Sequence, residues 1–381
     1  MKKICYWAPC LNKVGTYKAV INSALSLSKY SKNSFEIYII NACGEWDEEK
    51  NFFIKNNIKV INLNFNYFSY LPKIGFLNSR FSYLMIFILS IIPLFKFLSK
   101  IKPDFLIGHL LTTLPIFLFN FFDFKTKFIL RISGYPKLSF FRKNFWKRFS
   151  KKIFKITCPS KDLQKQITNK NIFPEKKIFF LPDPIISMSK FKSEIEQQIK
   201  IKNKNEYFIA VGRLTRQKNF TYLIEEFNSF LKDHSNYNLL IFGEGEQKKQ
   251  LEKKIDTLKL NNKILLMGFS ENIYSYMKKA KALILSSLWE DPGFVIIEAA
   301  LSNLFIISSD CENGPTEFLL KGKAGLLYSS NKKNKLNHTL GFFQKMDKDQ
   351  KSLMKIAAKK NCMKYTLFRH HNFLKKILNS N

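Results

Sequence analysis

Short apolar runs alternate with segments of helical period along almost the whole of this 381-residue sequence. That alternation predicts parallel α/β layering, because each apolar strand then lies between amphipathic helices. In the first half, strands are expected at Ile4–Ala8, Glu36–Asn41, Lys59–Leu63, Phe105–Ile107, Phe128–Arg131, Ile153–Thr157 and Ile178–Leu181, with helices such as Thr16–Tyr30 and Lys161–Thr168 between them. A second series has strands at Tyr207–Val211, Tyr237–Phe242, Ile264–Met267, Ala282–Leu285 and Phe305–Ser308. Its helices are expected near Phe220–Lys232, Glu246–Leu258 and Phe294–Ser302, followed by two or three polar-faced helices over Leu336–Leu378. From Asp183 to Asn205 the apolar period stops and Lys, Gln and Asn accumulate, so this stretch reads as a linker.

The length suits two domains, and a hydrophobic content of 46% supplies two cores. The expected division is an N-terminal domain over residues 1–185, a C-terminal domain over 186–360, and a terminal helix, 361–381, packing back on the first. Both domains read as doubly wound, Rossmann-like α/β units facing a cleft. In such sheets ligands bind at the carboxyl ends of the strands.

The formal charge is +34, and it is uneven: Asn51–Lys161 holds 19 basic residues and two acids, Asp104 and Asp123. Such a field favours an anionic partner, whether nucleic acid, anionic lipid or phosphorylated substrate. Within it, Phe141, Phe145, Phe149 and Ile153 recur every four residues among cations that include Arg142, Lys143, Lys147 and Arg148. The aromatic stripe reads as a core-packing helix face as readily as a membrane-facing one. The cations suit an anionic leaflet, at roughly 1 kcal/mol for each one near the surface. Phe81–Leu98 is nearly long enough to span a membrane, but Pro93 and two serines interrupt it within the strand–helix alternation, so a buried or interfacial helix is expected. Cys5, Cys10, Cys43, Cys158, Cys311 and Cys362 show neither C-x-x-C pairing nor metal-finger spacing, which suits reduced thiols in a cytosolic compartment. The opening MKKICYWAPC has no apolar signal-peptide core and reads as a first strand.

The most informative stretch runs Ser286-Ser-Leu-Trp-Glu-Asp-Pro-Gly-Phe-Val-Ile-Ile-Glu-Ala-Ala300. Glu290 and Glu298 flank a Pro-Gly turn at a helix start. Backbone N–H groups there, approachable past Gly293, form a clasp for an anion or a hydroxyl, and a carboxylate on each side can accept sugar hydroxyls. Taken alone, Glu298 is equally explained as a helix-start charge favoured by the macrodipole. A second stretch, Val211-Gly-Arg-Leu-Thr-Arg-Gln-Lys-Asn219, follows a strand and opens a helix. Gly212 lets the backbone turn, and Arg213 and Lys218 set two cations where they can stabilise a leaving diphosphate.

These motifs resemble the Glu-x7-Glu pattern of family 4 retaining glycosyltransferases of the GT-B fold, in the variant of bacterial enzymes that build surface polysaccharide. The resemblance covers nearly the whole chain and is strongest over Tyr207–Tyr328. It implies that Glu290 contacts the donor sugar and Glu298 the ribose hydroxyls, while the backbone of Gly293 and Phe294 meets the phosphate side and Val295 belongs to the same donor site. Arg213, Lys218 and Gly212 would meet the diphosphate. Gly243 and Gly245 of the Phe242-Gly-Glu-Gly-Glu246 turn look like the family's nucleotide-side loop, as does Gly268-Phe269, where the base would lie. On the N-terminal side, Gly15 stands where the family usually carries a Gly-Gly loop reaching the donor phosphate; here only one glycine is present. His109, at a strand end, reads either as structural or as the family's histidine near the sugar. Arg131-Ile-Ser-Gly134 resembles a loop near the acceptor.

The only Asp-x-Asp, Asp347-Lys-Asp349, lies in a polar helical tail, so no metal and no other cofactor is expected. The resemblance implies transfer of a hexose or N-acetylhexosamine from a nucleoside diphosphate sugar, UDP-sugar favoured, with retention. The acceptor would be a growing lipid-linked or surface glycan such as lipopolysaccharide, O-antigen or capsule, met at the inner face of the cytoplasmic membrane. A nucleotide-sugar epimerase of the same fold and a basic nucleic-acid-binding protein are the rivals. No nucleic-acid-binding motif accompanies the charge, so no such partner is expected.

Overall fold

The computed structural model describes residues 1–13, 15–31, 33–72, 76–134, 140–197, 206–290, 292–330 and 332–380. In chain order the elements begin β1 (Lys2–Trp7), α1 (Gly15–Tyr30), β2 (Phe35–Asn41), α2 (Lys50–Lys55), β3 (Ile58–Asn62), α3 (Phe76–Ile101), β4 (Phe105–Gly108), α4 (Thr113–Phe121), β5 (Lys127–Arg131), α5 (Phe140–Phe149), β6 (Lys155–Cys158), α6 (Lys161–Asn169) and β7 (Ile178–Phe180). They continue α7 (Met188–Ile195), β8 (Glu206–Val211), α8 (Phe220–Leu231), β9 (Tyr237–Phe242), α9 (Lys248–Thr257), β10 (Ile264–Gly268), α10 (Ile273–Lys279), β11 (Ala282–Leu285), α11 (Phe294–Leu301) and β12 (Phe305–Ser309). The last are α12 (Pro315–Phe318), β13 (Leu326–Tyr328), α13 (Lys335–Lys345), α14 (Lys348–Cys362) and α15 (Leu367–Asn379).

The chain divides into two units, Met1–Ile185 with Leu367–Asn381, and Ile186–Thr366. The first holds a seven-stranded parallel sheet in the order β3-β2-β1-β4-β5-β6-β7. Strand alternation divides its apolar residues between two cores. From β1, Cys5 and Trp7 join residues of α3, α4, α5 and α6, whereas Ile4 and Tyr6 join residues of α1, α2 and α15. The second unit holds a six-stranded parallel sheet in the order β10-β9-β8-β11-β12-β13. Phe208 and Ala210 of β8 pack there with α8, α9 and α13.

Three expectations are corrected. The stretch read as a linker contains α7, which belongs to the second unit: Phe191 packs edge-on against Tyr274 and Ser275 Oγ donates to the Glu194 carbonyl. Its apolar positions are few among lysines and serines, which hid the period. Residues 198–205 of that stretch lie outside the described residues. The return to the first unit comes at Leu367 rather than 361, because α14 and the turn after it, Met363–Tyr365, stay with the second. Strand β6 begins at Lys155, and Ile153 precedes it as a buried core residue.

Helix α3 is neither wholly buried nor a free span. Ser82, Ile86, Ser90, Leu94, Phe97 and Leu98 are buried, while the opposite face is solvent-exposed. In α5, Phe145 and Phe149 pack on the core and Lys143, Lys147 and Arg148 are exposed. The aromatic stripe is therefore a core face there; the side chains of Phe141 and Arg142 lie outside the described ones.

Candidate functional site

Doubly wound sheets leave a crevice where the strand order reverses, because the crossovers on either side run to opposite faces. In the second unit that reversal falls between β8 and β11. The two motifs singled out in the sequence follow these two strands, so Gly212–Lys218 and Ser286–Glu290 meet at the carboxyl edge of the sheet. Their loops are stitched together: Leu288 N–H donates to Gln217 O (2.8 Å), Ser286 Oγ–H to Lys218 O (2.7 Å), and Gln217 Nε2–H to Trp289 O (2.9 Å). The loop after β12 joins them, with Ser309 Oγ donating to Ser287 O (2.6 Å) and Glu290 N–H to Glu312 O (3.2 Å).

Inside this frame Lys218 Nζ forms an ion pair with Glu290 Oε1, which also accepts from Ser287 Oγ–H at 2.5 Å. Glu290 is 5% exposed and the Lys218 side chain 14%. The stem of Lys218 lies over Gly212: a Cβ at position 212 would stand 2.8 Å from Lys218 Cε. An ammonium has three N–H donors, so one is committed to Glu290 and two remain for acceptor oxygens. Arg213 is exposed on the same loop. Asp291, between Glu290 and the Pro-Gly turn, lies outside the described residues.

Gly293, at φ +85°, caps α11 in the left-handed region that favours glycine. The first intrahelical bond is Ile296 N–H to Gly293 O, so the N–H groups of Phe294 and Val295 precede the bonded ladder, as an anion clasp requires. Glu298 lies on the second turn of α11, half-buried; burial, and then Glu298 and Glu194, push the Tyr274 phenol up. Phe269 follows β10 and is 72% exposed, an aromatic face open to stacking.

Gly243 and Gly245 have a steric reason of their own. A Cβ at 243 would fall 1.9 Å from Gly212 O, and one at 245 would fall 2.4 Å from Leu214 O. Gly212 N–H and Leu214 N–H donate to Phe242 O and Glu244 O, both at 2.9 Å. These glycines let the loop after β9 close against the cation-bearing loop.

In the first unit the strand order reverses between β1 and β4. Gly15 is the exposed first residue of α1, after β1, and His109 follows β4 with its N–H donating to Trp7 O (2.9 Å). His109 is buried, and its Nδ1 has no hydrogen-bond partner among the described residues. Burial, then the charge of Arg131 and the neighbouring His370, hold its pKa well below the usual imidazole range, so it is neutral at pH 7. Arg131, at the start of the loop that the resemblance sets near an acceptor, is buried in an ion pair with Asp183 at 2.5 Å and donates to Ile132 O.

Sequence reasoning gave no role to Ser287, Gln217, Ser309 or His370. Ser287 and Gln217, inside the two quoted motifs, carried a local signal, whereas Ser309 and His370 lie outside them. His370 Nδ1–H donates to Pro182 O (2.7 Å), which leaves Nε2 to accept from Ser23 Oγ–H (2.8 Å), and Ser23 in turn accepts from the Tyr6 hydroxyl (2.8 Å). This buried chain seats α15 on the first unit. All six cysteines are buried free thiols outside any disulfide, and burial pushes the thiol of Cys311, beside the Glu290 loop, up to about 12. Among the described residues no three His, Cys, Asp or Glu side chains are grouped to hold a metal ion.

Two doubly wound parallel α/β units, each with candidate ligand groups at its own reversal point, define the GT-B class of fold. Residues 191–360, under half of the chain, match the family model for glycosyl transferases group 1. An uncharacterized glycosyltransferase of Methanocaldococcus jannaschii is 31% identical over 242 residues, 59% of this chain and 60% of that one. The N-acetylgalactosamine-N,N'-diacetylbacillosaminyl-diphospho-undecaprenol 4-alpha-N-acetylgalactosaminyltransferase of Campylobacter jejuni is 26% identical over 241 residues, 61% of this chain and 64% of that one. The chain thus spans less than two thirds of the length of these curated relatives. Anabaena Alr3699/HepE, solved with UDP and glucose, superposes with a TM-score of 0.72 over all of both chains at 14% identity, a likeness of fold.

Proposed function

We propose that this chain is a retaining glycosyltransferase that moves a hexosyl or N-acetylhexosaminyl group from a nucleoside diphosphate sugar to a lipid-linked glycan. The observation that carries the reading is the Lys218–Glu290–Ser287 cluster, buried at the reversal point of the second sheet beside the open start of α11. As the bond from sugar to diphosphate breaks, negative charge grows on the leaving group. Lys218, Arg213 and the N–H groups of Phe294 and Val295 are fixed donors for that charge. Glu290 accepts a hydroxyl of the donor sugar and Glu298 those of the ribose, with Phe269 stacking on the base. In the first unit, the start of α1 at Gly15 offers N–H groups to phosphate, and neutral His109 offers a hydrogen bond near the transferred sugar.

With the cations supplied by side chains, the reaction needs no metal. UDP as the nucleotide is supported by the likeness to a protein solved with UDP and glucose. A lipid-linked acceptor is supported by the name of the Campylobacter relative, and work at the inner face of the cytoplasmic membrane is part of the same proposal.

The test is nucleoside diphosphate release from a panel of UDP-, GDP- and ADP-sugars by the purified chain in excess EDTA. One donor, a UDP-sugar, is expected to turn over in EDTA, and Glu290→Gln or Glu298→Gln to cut transfer by about a hundredfold or more in a folded protein. Turnover of no donor, or near-wild-type rates in both variants, contradicts the reading. Loss in EDTA restored by manganese contradicts the side-chain cation assignment.

A further inference from the structure

Helix α3 has an outer face as regular as its inner one. Leu77, Phe81, Leu84, Ile88 and Ile92, spaced four, three, four and four residues apart, are between 54% and 77% exposed. At 1.5 Å per residue they form a stripe about 22 Å long on one side of the helix. At the end of α4, Phe121 and the following Phe122 are exposed, and the Phe122 ring packs tilted against Phe95 of α3 (ring centroids 4.6 Å). An exposed apolar stripe at helical spacing of this kind marks an interaction surface.

The charges around it select the partner. Helix α3 carries Arg80, Lys96 and Lys100 and no acid, and no acid occurs between Asn51 and Pro103. Helix α5, whose Lys143, Lys147 and Arg148 are exposed, packs on the same face of the first sheet as α3 and α4. One helical layer therefore presents both a linear apolar strip and a cationic field. An apolar face flanked by Lys and Arg fits the boundary between headgroups and acyl chains of an anionic leaflet.

We propose that the α3 stripe beds into an anionic bilayer surface, with α3 lying in the plane of the interface and the α5 cations over the headgroups. The inference rests on the lipid-linked acceptor of the proposed reaction and deepens it: the membrane is held by apolar insertion as well as by charge. The inner face of α3 stays in the protein core, so the helix lies on the membrane rather than crossing it.

The test is sedimentation of the full chain with sucrose-loaded vesicles of phosphatidylglycerol and phosphatidylcholine, or of phosphatidylcholine alone, at 0.1 M and 1 M salt. Wild type is expected on the anionic vesicles at low salt, with a fraction that high salt does not release, because screening weakens charge but not apolar burial. Leu84→Asn with Ile88→Asn should lower partitioning by about tenfold or more and abolish the salt-resistant fraction. Lys143→Gln, Lys147→Gln and Arg148→Gln together should remove only the salt-sensitive part. Both sets are exposed, so unchanged melting and unchanged donor hydrolysis in solution are expected. That second readout separates failure here from failure of the transferase reading. Unchanged partitioning of the Leu84/Ile88 variant overturns the proposal. So does sedimentation equilibrium without lipid showing a dimer that the same variant dissociates, since a second copy would then cover the stripe.

Discussion

Gly212 is bare because the stem of Lys218 occupies the space its side chain would need. Gly212→Ala must push that stem aside and loosen the ammonium from Glu290. Overpacking of this sort costs roughly 1–3 kcal/mol, so kcat/KM for the donor is expected to fall by about tenfold or more in a folded variant. A Gly212→Ala enzyme with wild-type kinetics would show that Lys218 does not need this seat. Removing the cation is harsher on the fold, because an unpaired buried carboxylate costs about 3–5 kcal/mol. Lys218 and Glu290 were each legible from the sequence as the right residue types beside the right turns. Their pairing was not, because contact between residues 72 positions apart is set by strand order. The same limit applies to the close packing of Gly243 and Gly245 on the backbone of Gly212 and Leu214.

Among the elements, strands that are short, apolar and flanked by turns were legible almost to the residue, as β9 and β11 are. Three-residue β13 is too short to show a period, and α7 holds too few apolar positions to stand out. The split character of α3 was also hidden, since both its faces are apolar and only packing tells them apart. Helix α15 was legible as amphipathic, but its histidines take their meaning from the chain to Pro182, Ser23 and Tyr6. Burial lowers the His370 pKa to about 4, and His109 is lowered too. The unfolded chain therefore binds protons near pH 6.5 that the folded one refuses, and stability falls as pH drops below that value. For His370 alone the loss is on the order of 3 kcal/mol, accumulating between pH 6.5 and 4. Thermal melting from pH 7.5 to 4.5 should show a falling midpoint, with a shallower slope in His370→Gln. An identical slope in that variant would mean that His370 is protonated as easily in the fold as out of it.

At the scale of the molecule, each unit closes its own core and carries its own reversal point, with cation-bearing loops on the second and His109 on the first. On the second, Lys218 and Arg213 are proposed to hold a diphosphate without help from a metal. A charge-assisted hydrogen bond contributes about 1.5–3 kcal/mol, or roughly tenfold and upwards in affinity. Isothermal titration of UDP into the full chain, in metal-free buffer with EDTA, measures this directly. Wild type is predicted to bind, and Lys218→Met and Arg213→Met each to weaken binding by about tenfold or more while both remain folded. Equal affinity in wild type and both variants, or binding that appears only when magnesium or manganese is added, would rule out that role for the two side chains.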